Sequence, residues 1–124
     1  YACGKAVQAA VESTRQKVAV IASGDLSHRL KPGAPAGYDP AGEQFDSKVV
    51  EALQSMDVRS LFNLSEELVE SAGECGLRPI FFLLGAMDGL EPTSEILSYE
   101  GPFGVGYAVA TFAVKKTRPK EGTM

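Results

Sequence analysis

A short apolar run at residues 17–21 is the feature that most constrains the fold, because it leads directly into the small and polar residues 22–28, ASGDLSH. β-Branched residues favour strands, and a run of this kind predicts a buried strand. In open α/β sheets, ligands bind in the crevice beyond the carboxyl ends of the strands. The sequence therefore predicts a layered α/β fold in which residues 22–28 line a crevice.

The predicted crevice contains the only histidine of the chain, His28, with Asp25 and Ser27 beside it. Imidazole is the side chain whose unperturbed pKa lies nearest to neutrality, so His28 is a candidate general acid/base, flanked by Asp25 and Ser27. A solvated loop histidine capped by Ser27 is an equally good interpretation of the local sequence. Both interpretations stay open at this point.

Length and charge narrow the class of protein. The 124 residues, 44% of them hydrophobic, have room for one modest domain with a core. A net charge of −4 argues against nucleic acid or an anionic membrane as the main partner, since both attract clustered Lys and Arg. No apolar run approaches the roughly 18 residues that span a bilayer. Two distant cysteines form neither a disulfide framework nor a CxxC metal pair, so a reducing cytoplasm is the expected location.

Helical and strand patterns alternate along the chain. Periodicity and cap signals predict helices, and the first of them is expected to pack on the strand at 17–21. Three strands are few for these helices and would leave sheet edges and helix faces uncovered, which indicates part of a larger α/β domain with helices flanking a sheet. The predicted helices lie at 2–16, 40–56, 57–64, 65–73 and 79–89, and the two further strands at 94–99 and 104–114.

The number of available ligands limits any metal site. Zinc and non-haem iron sites draw heavily on His and Cys, and this chain has one His and two Cys. His28, Glu74 and Cys75 are the candidate ligands. The alternatives are that Glu74 is an exposed carboxylate beside a turn and that Cys75 is a buried small hydrophobe, which residue type alone favours.

Three segments, taken in order, resemble the class III extradiol ring-cleavage dioxygenase superfamily: residues 20–28 (VIASGDLSH), 74–80 (ECGLRPI) and 104–107 (GVGY). More narrowly, they resemble the catalytic B-subunit-like proteins related to Memo in the AmmeMemoRadiSam system. The resemblance covers nearly the whole chain but only the carboxyl-terminal half of that family's domain. We therefore expect residues 1–114 to be this half, in a piece of a longer protein, and residues 115–124 to be a flexible tail or linker.

The resemblance implies an Fe(II) cofactor held by two His and one Glu, a triad that leaves positions open for a catecholate and O₂. In that arrangement His28 is the acid/base that handles the catechol proton. Glu74 is the carboxylate ligand, or Cys75 takes that place as in Memo-like relatives. Both histidine ligands belong to the amino-terminal half of the family's domain, so most ligands lie outside this chain, and the chain alone is expected to be inactive.

The implied function is Fe(II)-dependent extradiol cleavage of a catecholic ring, with a small aromatic substrate and O₂ as partners. The alternative is a Memo-like protein that binds a metal or ligand in a modification or redox pathway without dioxygenase activity. Cys75 favours this alternative, whereas Glu74 and the Ser27-His28 pair favour the dioxygenase. A homo-oligomer or a fused AMMECR1-type domain is a further expectation from the resemblance.

Overall fold

A computed structural model describes residues 1–115, which form five α-helices and a two-stranded antiparallel sheet. The elements are α1 (Ala2–Glu12), α2 (Pro40–Ser55), α3 (Val58–Phe62), α4 (Glu66–Ala72), α5 (Leu77–Ala86), β1 (Thr93–Glu100) and β2 (Tyr107–Ala113). This mixture confirms the predicted α/β class and fits a partial α/β domain. Of the predicted tail at 115–124, all but Lys115 lies outside the described residues.

The helix ends follow local capping signals. The Asp39 side chain accepts a hydrogen bond of 2.8 Å from the amide of Ala41, and Pro40 occupies the first position of α2. Ser65 caps α4 in the same way, and Gly73 ends it in the left-handed conformation with φ 60°. Because Gly73 reverses the chain there, residues 73–76 turn back towards the loop at 25–28.

The hydrophobic core is centred on α2, which contacts α3, α4 and β1. Phe45 and Val49 on this helix are completely buried. The remaining core residues are Ala52 and Leu53 of α2 itself and, from the other helices and the loop after residue 25, Leu26, Leu61, Ala72, Leu77, Leu84 and Met87. Within residues 1–115, no helix has the length and apolar character needed to cross a membrane.

Helix α1 packs against α5, so the prediction that it packs on a following strand is wrong. The two helices approach closely at glycines: a Cβ on Gly4 would overlap the backbone of α5, and one on Gly85 would overlap the backbone of Tyr1. Gln8 of α1 also links the two helices, because its side chain donates hydrogen bonds to the carbonyls of Ala86 (3.0 Å) and Asp88 (2.8 Å) at and just after the end of α5. Backbone contact leaves no room here for larger residues.

The predicted buried strand at 17–21 is also wrong for the described residues. The segment has no regular structure, and Val18 and Ile21 are 52% and 86% exposed. A strand needs a hydrogen-bonded neighbour, and residues 17–24 make no backbone hydrogen bond to any residue in 1–115. The segment instead borders an open apolar groove of about 800 Å³ between α1, α5 and β2.

Candidate functional site

Three of the predicted site residues, Asp25, His28 and Cys75, form one cluster. One ligand atom from each lies within 4.8 Å of the others. The Nε2 atom of His28 is 3.3 Å from Oδ2 of Asp25 and 4.0 Å from Sγ of Cys75. The thiol is exposed, which corrects the interpretation of Cys75 as a buried small hydrophobe. A nitrogen, an oxygen and a sulfur donor therefore meet at the surface.

Direct backbone packing brings the two loops of the cluster together. A Cβ on Gly24 would lie 2.8 Å from the Cα of Gly76, and one on Gly76 would lie 2.7 Å from the carbonyl oxygen of Asp25. The amide of Cys75 donates to that same carbonyl at 3.2 Å, and the amide of Asp25 donates to Sγ of Cys75 at 3.1 Å. Glycine is needed at both positions because any side chain would force the loops apart.

The imidazole of His28 has a defined orientation. Its Nδ1 atom lies 2.5 Å from the carbonyl oxygen of Gly73, and its backbone amide donates to that oxygen at 3.1 Å. A carbonyl can only accept, so Nδ1 carries the proton, and Nε2 is the nitrogen that faces Asp25 and Cys75. In a neutral imidazole with its proton on Nδ1, Nε2 carries the lone pair that can accept a proton. The arrangement can therefore take up and return a proton at one known atom.

Ser27 lies beneath the cluster and not within it. Its side chain is fully buried. The hydroxyl donates to the carbonyl of Ala72 at 2.7 Å and accepts from the amide of Arg29 at 3.0 Å. A Cβ on Gly42 of α2 would overlap this hydroxyl. Ser27 thus fixes the loop to α2 and to the end of α4.

The carboxylate of Glu74 lies at the start of α5 and is not among the clustered atoms. It accepts a hydrogen bond of 2.7 Å from the amide of Leu77, the first residue of that helix. An acidic side chain there satisfies a free amide and complements the helix dipole. Of the two candidate ligands, the structure brings Cys75 beside His28, and it places Glu74 in a helix-capping contact.

Asp46 on α2 contacts the loop that carries His28, and the sequence analysis missed it. It is 1% exposed, and its Oδ1 accepts from the amide of Ser27 at 2.8 Å. Its Oδ2 accepts from the hydroxyl of Tyr99 on β1. Burial raises the pKa of Asp46, although the hydrogen bonds from Tyr99 and Ser27 act in the opposite direction. The available signal was its helical spacing of three from Val49, which places a carboxylate on the apolar face.

Asp46 should make folding stability depend on pH. Because its folded-state pKa is raised above 3.8, its favourable contribution is present below that value and is lost as pH rises through the folded-state pKa. We expect the stability of the wild-type protein relative to Asp46→Asn to fall as pH rises above 3.8 and through the folded-state pKa, as measured by urea unfolding at a series of pH values. Exposed Glu95→Gln is the control. A difference that stays constant with pH would contradict the prediction.

The donor set does not by itself fit an iron site of the two-histidine, one-carboxylate type. Such a site needs two imidazoles, and the chain has one histidine. The cluster in residues 1–115 offers one imidazole, one thiol and one carboxylate. Any site of that type therefore requires residues from outside this chain.

Comparison with known proteins gives a match to a family model and a match to a curated relative. Residues 1–110 match the family model described as the catalytic LigB subunit of aromatic ring-opening dioxygenase. The chain is also 48% identical over 109 residues to a curated protein of Clostridium acetobutylicum, "Protein CA_C1420"; the alignment covers 88% of this chain and 23% of that protein. The chain thus spans less than a quarter of the relative's length. Since the family match takes in both loops of the cluster and more than half of the chain, the chain belongs to the family of the catalytic LigB subunit of aromatic ring-opening dioxygenase.

Proposed function

We propose that this chain supplies the proton-transferring part of an active site that cleaves a catecholic ring with O₂ in an Fe(II)-dependent extradiol reaction. The observation that carries the proposal is the orientation of His28: the carbonyl of Gly73 holds Nδ1, so Nε2 faces outward beside Asp25. Ring opening requires a group that removes a phenolic proton and returns it later. Membership of the LigB family supports an aromatic substrate and O₂ as partners.

The residues of this chain would handle the proton in two steps. Nε2 of His28 accepts the proton of a catechol hydroxyl while Nδ1 keeps its hydrogen bond to Gly73, and Asp25, 3.3 Å away, stabilises the resulting imidazolium. The same nitrogen later returns this proton to an oxygen of the ring-opened product, which contains both oxygen atoms of O₂. Iron, when bound, supplies the binding positions for catecholate and O₂. Glu74 or Cys75 would provide one ligand, and the remaining ligands come from outside this chain.

A second candidate function is a Memo-like metal- or ligand-binding protein that does not cleave catechols. The specific observation that favours it is that Cys75, and not its neighbour Glu74, lies beside His28. Cys75 places its thiol 4.0 Å from His28, while Glu74 uses its carboxylate to cap α5. A thiolate ligand favours softer metals than a carboxylate does, and it suits redox chemistry. A fused AMMECR1-type domain or a homo-oligomer stays a prediction for either function.

Anaerobic Fe(II) calorimetry separates the two candidates when the chain is joined to the upstream half of its domain. For the dioxygenase we expect Glu74→Ala to weaken binding by roughly tenfold or more, Cys75→Ala to change it little, and wild type to consume O₂ with a panel of catechols. Glu70→Ala, an exposed acidic residue of α4, is the matched control. Binding that depends on Cys75 alone, without O₂ consumption, would replace the dioxygenase with the second candidate.

A further inference from the structure

A buried polar connection runs beneath the loop that carries His28. Both carboxylate oxygens of Asp46 are occupied, one by the amide of Ser27 at 2.8 Å and the other by the hydroxyl of Tyr99. Ser27 and Asp46 are the buried polar residues of the described chain. The connection therefore joins α2, β1 and the loop through two hydrogen bonds, and the one between Ser27 and Asp46 is shielded from water.

Gly106, just before β2, holds the same loop from a second side. Its carbonyl accepts from the amide of Leu26 at 2.9 Å, and its amide donates to the carbonyl of Ser27 at 2.8 Å. A Cβ on Gly106 would overlap the carboxylate of Asp46. Both backbone groups of Ser27 are thus fixed, one by Asp46 and one by Gly106. The residue immediately before His28 has little freedom to move.

A carboxylate at this position is costly for stability. Burial without full compensation disfavours the charged form, and it raises the pKa of Asp46. An apolar residue here could extend the core around Phe45 without that desolvation. The carboxylate instead constrains geometry, since its two hydrogen bonds specify the positions of Ser27 and Tyr99. Buried polar networks that are fully satisfied make structures rigid in this way.

We infer that Asp46 and Tyr99 are positioning residues that hold Ser27 so that Nε2 of His28 stays directed towards Asp25 and Cys75. Neither side chain belongs to the cluster itself. The catalytic meaning of this inference rests on the proposed function, because it concerns the residue assigned to proton transfer. The orientation of the His28 ring is tested without any substrate.

The single histidine makes NMR of the full chain a direct test, since its ring signals need no separate assignment. In Tyr99→Phe we expect the His28 ring ¹⁵N and ¹H signals to shift and the Ser27 amide to exchange roughly tenfold faster, because Asp46 loses one of its two donors. Tyr107→Phe is the matched control: Tyr107 is 40% exposed, as is Tyr99, and its hydroxyl makes no hydrogen bond within residues 1–115.

Substitution of Asp46 adds a rescue experiment. Asp46→Ala should shift the His28 signals further than Tyr99→Phe does. Asp46→Asn should return them towards wild type, because an amide oxygen can still accept from Ser27. If Asp46→Ala does not fold, Tyr99→Phe decides the question.

The inference is overturned if folded Tyr99→Phe leaves the His28 signals and Ser27 exchange unchanged, or if Tyr107→Phe alters them equally. Its failure is distinguishable from failure of the proposed function. Shifted signals in Tyr99→Phe, combined with no O₂ consumption by the protein that includes the upstream half, would keep the positioning role and remove the reaction. Unchanged signals with normal O₂ consumption would remove the positioning role and keep the proposed reaction.

Discussion

Replacing His28 with phenylalanine is expected to lower catechol turnover by about 10²- to 10⁴-fold, the usual contribution of a positioned acid/base. Phenylalanine keeps a planar aromatic ring but has no nitrogen to accept a proton beside Asp25. Because the proposed dioxygenase uses His28 as the acid/base and takes its ligand in this chain from Glu74 or Cys75, Fe(II) binding should be retained. The measurement is kcat by oxygen electrode, with metal content determined on the same samples, in the protein that includes the upstream half of the domain.

Loss of the hydrogen bond between His28 and Gly73 has a separate, smaller effect on folding, of about 1 kcal/mol. Thermal unfolding by circular dichroism distinguishes this loss from the loss of turnover. Tyr107→Phe serves as the control for a change of an aromatic side chain that is not part of the cluster, and its kcat should match wild type. A His28→Phe protein with wild-type kcat would remove His28 from the mechanism.

Replacing Phe45 with alanine is expected to lower the free energy of unfolding by about 3 to 5 kcal/mol. The side chain lies in the second turn of α2, is completely buried, and packs in the same cluster as Leu26, Leu61 and Leu84. Truncation removes apolar contacts and leaves a cavity that neighbouring helices fill only in part. Urea unfolding followed by circular dichroism gives the difference directly.

Phe103→Ala is the matched control for this loss, because Phe103 is 72% exposed in the turn between the strands. Its effect should stay within about 0.5 kcal/mol, as for most surface substitutions. Domains are stable by only about 5 to 15 kcal/mol, so Phe45→Ala should lie near the limit of folding. Equal losses in the two variants would show that α2 does not form the core as described.

Local signals predicted the helices well, and non-local pairing explains the main error. Asp39 and Pro40 specify the start of α2 through a cap and a fixed φ, both encoded by adjacent residues. The run at 17–21 has strand-forming composition, but a strand exists only with a hydrogen-bonded neighbour. No neighbour is present within residues 1–115, so composition alone gave the wrong prediction there.

In the candidate site too, local sequence signals predicted part of the arrangement, and contacts between distant segments determined the rest. The motif around Asp25 and His28 identified two cluster members, and the segment 74–80 brought in Cys75. Sequence could not show that Glu74 bonds to the start of α5 while its neighbour faces His28. Asp46 was missed because a single acidic residue in a helix ordinarily faces solvent. Each of these facts depends on how distant segments pack.

The hydrogen bonds that orient the cluster join residues 45 to 50 positions apart, from Ser27 to Ala72, from His28 to Gly73 and from Asp25 to Cys75. Closing a loop of that length costs entropy before any contact forms. Contacts with large sequence separation also slow folding. The imidazole therefore acquires its orientation only when α2 and α4 have docked, and a short peptide carrying the 22–28 motif would leave it free to rotate in water.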